Sequence, residues 1–405
     1  MKDVFKSFVF LNILVLLLVL VNCIPNSLIY DNLCESVKYY NDIKDNLSSS
    51  PFLNQSDLAA DLNELNIIMN VNSHTPFKDA LLAPFYREFD NQDYPIMTYR
   101  TIVEKKGANY NYNRYWHGYQ ILWRPLLILF NSKQIMNFML IVYLLLLCNL
   151  LYCLYKSNMK DILVGIILMN IIYIVPNGFA SLEYIPVFFV YVIVSLIMLN
   201  FSISSVLLFM CSGILVAFTD FWTAETLTLT IPFLIYLKMK YMDNNISILN
   251  CILNGISWLL GYCFTFIYKW TLSTVFLKDN YFKMAFDNYS IHKDNFGGLN
   301  SIKVCINMLF YNIFSTERTL LIFLIVLGIF LFTLYLIRKI GSEKYIICIC
   351  IICMIPYINY WILSGHTLVY AIFTYREQLC LFPAIFMLSK CFDKRLIKKG
   401  VLRER

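Results

Sequence analysis

Phe8 to Cys23 contains no charged residue, and apolar runs of similar length follow at 135–155, 161–176, 184–200, 203–219, 226–240, 247–268, 318–338, 344–363 and 374–391. A helix needs about 20 predominantly apolar residues to cross the hydrocarbon core of a bilayer. Several of these runs are shorter, which points to tilted or partly buried helices. No soluble core absorbs so much apolar sequence, because too little polar surface is left to cover it. Composition agrees: 59% of the 405 residues are apolar and 15% charged, against about a quarter charged in soluble domains. The expected fold class is an all-α polytopic membrane protein with about ten transmembrane helices.

Charge orients the chain. The connections expected on the inner side carry Lys156 and Lys160, then Lys238 and Lys240, then Arg338, Lys339 and Lys344. The outer connections at 177–183 and 220–225 carry no Lys or Arg, and that at 364–376 only Arg376. Short loops rich in Lys and Arg stay in the cytoplasm. This places the protein in the cell membrane as a multi-pass chain with both termini cytoplasmic. Residues 1–24 read as a signal-anchor helix, because Val-Asn-Cys-Ile-Pro offers no small-residue cleavage site. Residues 25–118 read as an extracytoplasmic loop domain, and 119–391 as a helix bundle with a second external loop at 271–316. A basic cytoplasmic tail follows at 392–405.

Within 25–118, Leu58, Leu62, Leu65, Ile68 and Met69 recur at helical spacing, as in an amphipathic helix lying on a membrane. The segment 119–131 is apolar but broken by Arg124-Pro125, which reads as interfacial or re-entrant.

Most of the thirteen cysteines lie inside apolar runs, where they behave as small hydrophobes. Cys23 and Cys34 leave room for one external disulfide. No cysteine–histidine spacing suits zinc, and no Walker loop, HExxH, G-x-S-x-G or kinase set is present. The net charge of +7 is concentrated in the tail after the last apolar run, a pattern that meets anionic lipid rather than nucleic acid.

The polar residues at the outer ends of the spans carry the functional signal, since charge near hydrocarbon is costly. Asn113 to Leu127 enters the membrane with Arg114, Trp116, His117, Trp123 and Arg124. Arginine forks grip phosphate and aromatic rings stack on sugars, although an aromatic belt with snorkelling arginines has the same composition. Asp57 and Asp61 share a helix face, where a carboxylate can serve as general base or simply be solvated. Asp220 and Glu225 lie in an outer turn, with Lys269, Trp270, His366 and Arg376 at the same level. Each alone reads equally as an anchor; their convergence points to a binding pocket.

These segments resemble an uncharacterised bacterial polytopic membrane protein family whose members share R-Y-W-H-G-Y…R-P-L-L, here Arg114 to Leu127. The same family has a first-loop acidic motif like Asp57, Asp61, Leu65, Asn66 and Ile67. It also has a turn like Asp220, Phe221, Thr223, Thr228, Leu229, Ile231 and Pro232, and a span end like Gly261, Tyr262, Lys269 and Trp270. More remotely, one span, a large external loop and a bundle is similar to the GT-C type of membrane glycosyltransferase. That resemblance implies a polyprenyl-phosphate-linked sugar donor and a cell-envelope glycan or lipid acceptor. Asp61, Asp57 or Asp220 would act on the acceptor. Arg124, His117 and Lys269 would hold phosphate, Trp116 or Trp123 would stack on sugar or isoprenoid, and Arg114, Trp270 and Arg376 complete the expected substrate-binding set. No cofactor is implied, while the outer acids leave room for a divalent metal. A flippase or transporter for lipid-linked oligosaccharide, a polysaccharide polymerase and a non-enzymatic scaffold are the alternatives.

Overall fold

The computed structural model describes residues 2–46, 57–88, 94–220, 222–294 and 344–398. The expected span at 318–338, residues 295–316 of the second external segment and the end of the basic tail lie outside them. The described chain is predominantly helical, with one short antiparallel β pair, Pro84–Phe85 with Tyr110–Asn111.

Five described helices are long and apolar enough to cross a membrane: α1 (Lys2–Asn22), α7 (Ser132–Lys156), α8 (Lys160–Asn177), α12 (Ile248–Leu277) and α14 (Lys344–Ile362). Between them lie two shorter apolar helices, α9 (Ile185–Asn200) and α10 (Ser205–Thr219), and α11 (Leu227–Met242), which is buried on all sides from Leu227 to Leu237. Leu16, Leu145, Leu249 and Phe276 are each more than half exposed. An apolar surface of this kind is covered by lipid or by another apolar partner. The last described helix is α16 (Leu381–Lys398), preceded by a 3₁₀ turn at Tyr375–Cys380 where the sequence suggests continuous helix.

Local signals set the helix ends. α7 opens with a capping box between Asn131 and Gln134, which satisfies two amides that a helix N-terminus otherwise leaves bare. α12 opens on Ser247 and stops where Lys278 turns left-handed at φ 64°. Gly213 of α10 and Gly261 of α12 make the close crossing between these helices possible. A Cβ on Gly213 would overlap the Trp258 carbonyl oxygen, and one on Gly261 the Met210 carbonyl oxygen. Small residues at such a crossing let two backbones touch. Alanine at either position is therefore expected to cost ~1–3 kcal/mol by overpacking. Gly107→Ala, with nothing within 4 Å of its Cβ, is expected to leave the melting temperature in detergent unchanged.

Residues 25–118 form α2 (Tyr30–Asn46), α3 (Leu58–Asn70), α4 (Pro76–Leu82) and α5 (Tyr94–Ile102). They do not close a core of their own. Leu33, Leu62 and Leu65 share one with Trp123, Ile135, Leu182 and Ile185, so the boundary drawn at 118 falls inside a packed unit. α3 starts where the apolar spacing places it, yet it does not lie on a surface: Asp61, Leu62, Glu64, Leu65 and Ile68 are all buried. Burying both its apolar and its acidic faces takes a sequence feature that spacing cannot reveal, namely partners 120 residues away. Cys23 and Cys34 are free thiols.

Candidate functional site

The 112–118 loop is the structural centre of the site. His117 adopts φ 54° and Trp222, across from it, φ 67°. Non-glycine residues rarely take such values without being held there. The holding bonds are visible. His117 donates from Nε2 to the Tyr112 carbonyl at 2.6 Å, and its Nδ1 accepts from the Tyr119 hydroxyl at 3.3 Å. The Gly118 amide donates to the Phe218 carbonyl at 2.8 Å. Trp116 stacks on Phe218 and donates from Nε1 to the Thr265 carbonyl at 2.8 Å. Burial and the nearby Lys269 push the His117 imidazole down to about 3, so it is neutral and carries no charge for an anion.

This loop presents Arg114 and Tyr115 where two cavities meet. The larger, about 580 Å³, is lined by aromatic residues of α12 and α13 (Tyr281–Asp294), including Phe266, Trp270, Phe282 and Phe286, together with Trp222. Ile267, Phe286 and Ile362 on its rim are about half exposed or more, so it opens onto the apolar outer surface. The smaller, about 110 Å³, is lined by Asp57, Asn63, Tyr94, Tyr112, Glu183 and Tyr370 among others. Arg114, Tyr115 and His366 border both. The Arg114 guanidinium lies over the Tyr112 and Tyr115 rings, 5.0 and 5.7 Å from their centres. The His366 ring packs against Trp222 and Tyr370.

Five acids gather beside the small cavity. Asp57 caps α3, accepting from the Ala60 amide at 3.0 Å, and faces the cavity. Burial raises it above the usual carboxylate range. Asp61 is fully buried one turn on. Its Oδ1 accepts from the Ser181 hydroxyl (2.6 Å) and the Leu182 and Glu183 amides (2.8 and 3.2 Å), and its Oδ2 from Tyr40 (2.8 Å). Asp61 thus pins α3 to the 178–184 connection and does not line either cavity. Burial pushes it up to about 7 against these bonds. Glu64 and Glu183 are held well above the carboxylate range, by burial first and then by neighbouring acids, Asp61 for Glu64 and Asp57 for Glu183. Asp220 turns back on its own loop, accepting from the Thr223 amide and hydroxyl at 2.9 and 2.7 Å.

A group whose folded value is raised contributes most below its unfolded value, and the contribution is lost as pH rises through the folded one. For Asp61 that window runs from the ordinary carboxylate range to about 7, and Glu64 and Glu183, also raised, act in the same direction. Thermal melts in detergent are expected to show falling stability as pH increases across this range.

Several residues that the sequence assigns to substrate binding have other work. Arg124 is fully buried and donates to the carbonyls of Val21 (3.1 Å), Ile24 (2.5 Å) and Ile68 (2.6 Å) and to Asn26 Oδ1 (3.1 Å). It fastens the end of α1 to the end of α3. Lys269 is fully buried, donating to the Ala80 carbonyl at 3.0 Å, with its ammonium 5.0 Å from the Trp116 ring centre. Arg376 lies over Tyr184 at 3.9 Å and donates to the Asn177 carbonyl at 3.5 Å. Trp116 is core, whereas Trp270 lines the large cavity and donates to the Arg114 carbonyl at 3.4 Å.

Of the residues assigned from sequence, the structure brings Asp57, Arg114 and Trp270 to the cavities and places Asp61, Trp116, His117, Arg124, Lys269, Asp220 and Arg376 in the framework around them. Sequence reasoning missed Glu183, the single acid in a connection without Lys or Arg, and Glu64, hidden on the same helix as Asp61. Both carried the signal that an acid beside apolar runs needs a reason. Among the described residues, no group of three or more His, Cys, Asp or Glu is arranged to hold a metal ion. No protein-family model, curated protein or solved structure matches the chain.

Proposed function

We propose that the protein is a membrane glycosyltransferase of about ten spans, taking a sugar from a polyprenyl-phosphate carrier at the extracytoplasmic face and passing it to a cell-envelope glycan or lipid. The observation that carries this reading is the junction of an apolar cavity open to the lipid side with a small polar one, bordered by Arg114. A substrate with an isoprenoid tail, one anionic group and a polar head fits that succession in order. The tail lies along Phe266, Trp270 and Phe282, the phosphate meets Arg114, and the sugar sits beside Asp57 and Glu183.

In the reaction the acceptor hydroxyl gives its proton to the Asp57 carboxylate as its oxygen bonds to the anomeric carbon. The bond from that carbon to the phosphate oxygen breaks, and the phosphate leaves with the electron pair. Arg114 stays charged throughout and offsets the charge that develops on the leaving group. Asp57, raised by burial, is a stronger base than an exposed carboxylate. Glu183, raised well above the carboxylate range by burial, serves in its protonated form as a hydrogen-bond donor to the sugar.

The test is photo-crosslinking of the purified chain with a diazirine-bearing polyprenyl phosphate. Labelled peptides from α12 and α13 are expected, with labelling lowered roughly tenfold or more by Arg114→Gln, the loss of one charge-assisted contact. Equal labelling of the variant, or labels confined to other helices, would remove the basis for this reading.

A further inference from the structure

A second group of buried acids lies outside both cavities. Glu225, in the turn before α11, and Glu377, in the 375–380 turn, are 2% and 1% exposed. One amide serves both: Asn359 of α14 donates from Nδ2 to Glu225 Oε1 at 3.0 Å and to Glu377 Oε1 at 2.7 Å. The remaining oxygens, Glu225 Oε2 and Glu377 Oε2, are buried without a hydrogen-bond partner. The Thr226 hydroxyl beside Glu225 in the chain, 3% exposed, is likewise without a partner.

Sharing one amide nitrogen sets the two carboxyl groups side by side. The charges acting most strongly on Glu377 are those of Glu225 and Asp220, all of one sign. Among the described residues, the other titratable groups that face the pair are neutral at ordinary pH: Tyr115 from the 112–118 loop, Tyr262 from α12, Tyr360 from α14 and Cys380 from the 375–380 turn. Arg376, next in the chain, points the other way, over Tyr184. Two carboxylates in contact away from water cannot both stay ionised, since neither hydration nor a counter-charge offsets their repulsion. One proton between them turns the repulsion into a hydrogen bond and satisfies an oxygen that otherwise has no partner.

We propose that Glu225 and Glu377 form a binding site for a single exchangeable proton, clamped by the Asn359 amide, which keeps the 375–380 turn docked on α11 and α14. Loss of that proton leaves two like charges side by side, opposed only by neutral bonds such as Tyr357 to Gln378 and Tyr360 to the Thr374 carbonyl, so the turn and Arg376 with it loosen as pH rises. The site stands independently of the transfer reaction proposed above, and its test uses no substrate.

The experiment is infrared spectroscopy of the full chain in lipid nanodiscs, exchanged into D2O, for wild type, Glu225→Gln and Glu377→Gln. At neutral pH the wild type is expected to show a carboxylic-acid carbonyl band that each single variant lacks, because the one shared proton has no second carboxyl to bridge. Glutamine mimics a protonated glutamate, so both variants are expected to fold. Across the titration, the folding equilibrium of the wild type is expected to fall by up to roughly tenfold per pH unit for this one proton. Each variant is expected to lack that component of the pH slope. An identical acid band in all three proteins would overturn the proposal, as would failure of both glutamine variants to fold.

Discussion

Asp57→Asn is expected to lower turnover ~10²–10⁴-fold, the usual worth of a positioned general base, while leaving the protein folded. Asparagine still caps a helix, so α3 keeps the bond to the Ala60 amide that Asp57 now makes at 3.0 Å. Donor labelling should persist, because Asp57 touches the acceptor side of the junction. The neighbouring acid behaves in the opposite way. Asp61→Asn is expected to retain both fold and most activity: its amide oxygen still accepts from Ser181, Leu182 and Glu183, and its amide nitrogen can donate to the Tyr40 oxygen. Asp61→Ala strands two buried backbone amides, at ~1–3 kcal/mol for each, and should appear as lost protein rather than lost chemistry. Assays of turnover and of folded yield on these three variants separate the two roles. A fully active Asp57→Asn protein would take Asp57 out of the reaction.

The second large effect concerns Arg124. Arg124→Met leaves the carbonyls of Ile24 and Ile68 buried without donors and the Val21 carbonyl with only the Ile24 amide. At ~1–3 kcal/mol each, the sum approaches the whole stability of an ordinary domain. Little folded protein is expected. Arg124→Lys should rescue only in part, since one ammonium cannot reproduce a planar fork that reaches three carbonyls on two segments. If Arg124 held a phosphate instead, its methionine variant would fold normally and fail only in donor binding. Size-exclusion profiles in detergent alongside donor labelling distinguish the two.

The arginine also shows where sequence reading stops. Its position beside Pro125 marks it as unusual, and a fork-shaped cation near a membrane surface suits phosphate. Nothing in the local pattern says that three carbonyls from α1 and α3 converge on it, because those partners lie about a hundred and about sixty residues earlier. The same holds for Lys269, Trp116 and Asp61: residue type and depth were legible, partners were not. Periodicity and hydropathy gave most helix positions, since they depend on neighbours within a turn or two. They failed for the 375–380 turn, where Asn359 of α14 bonds both Glu377 and Glu225 of the turn before α11. Asp57, Arg114 and Trp270 were found because their chemistry and their exposure to a cavity coincide. Glu183 and Glu64 were overlooked although each is an acid that burial renders costly.

The central claim is that the joined cavities take a lipid-phosphate sugar and that Asp57 acts on its acceptor. Mass spectrometry of envelope glycans and lipid-linked sugars tests it directly, in a strain lacking the gene and complemented with wild type or Asp57→Asn. The account predicts that one sugar substituent disappears, that its lipid-phosphate donor accumulates, and that only the wild type restores both. Unchanged glycans and unchanged donor pools in the deletion strain would contradict it.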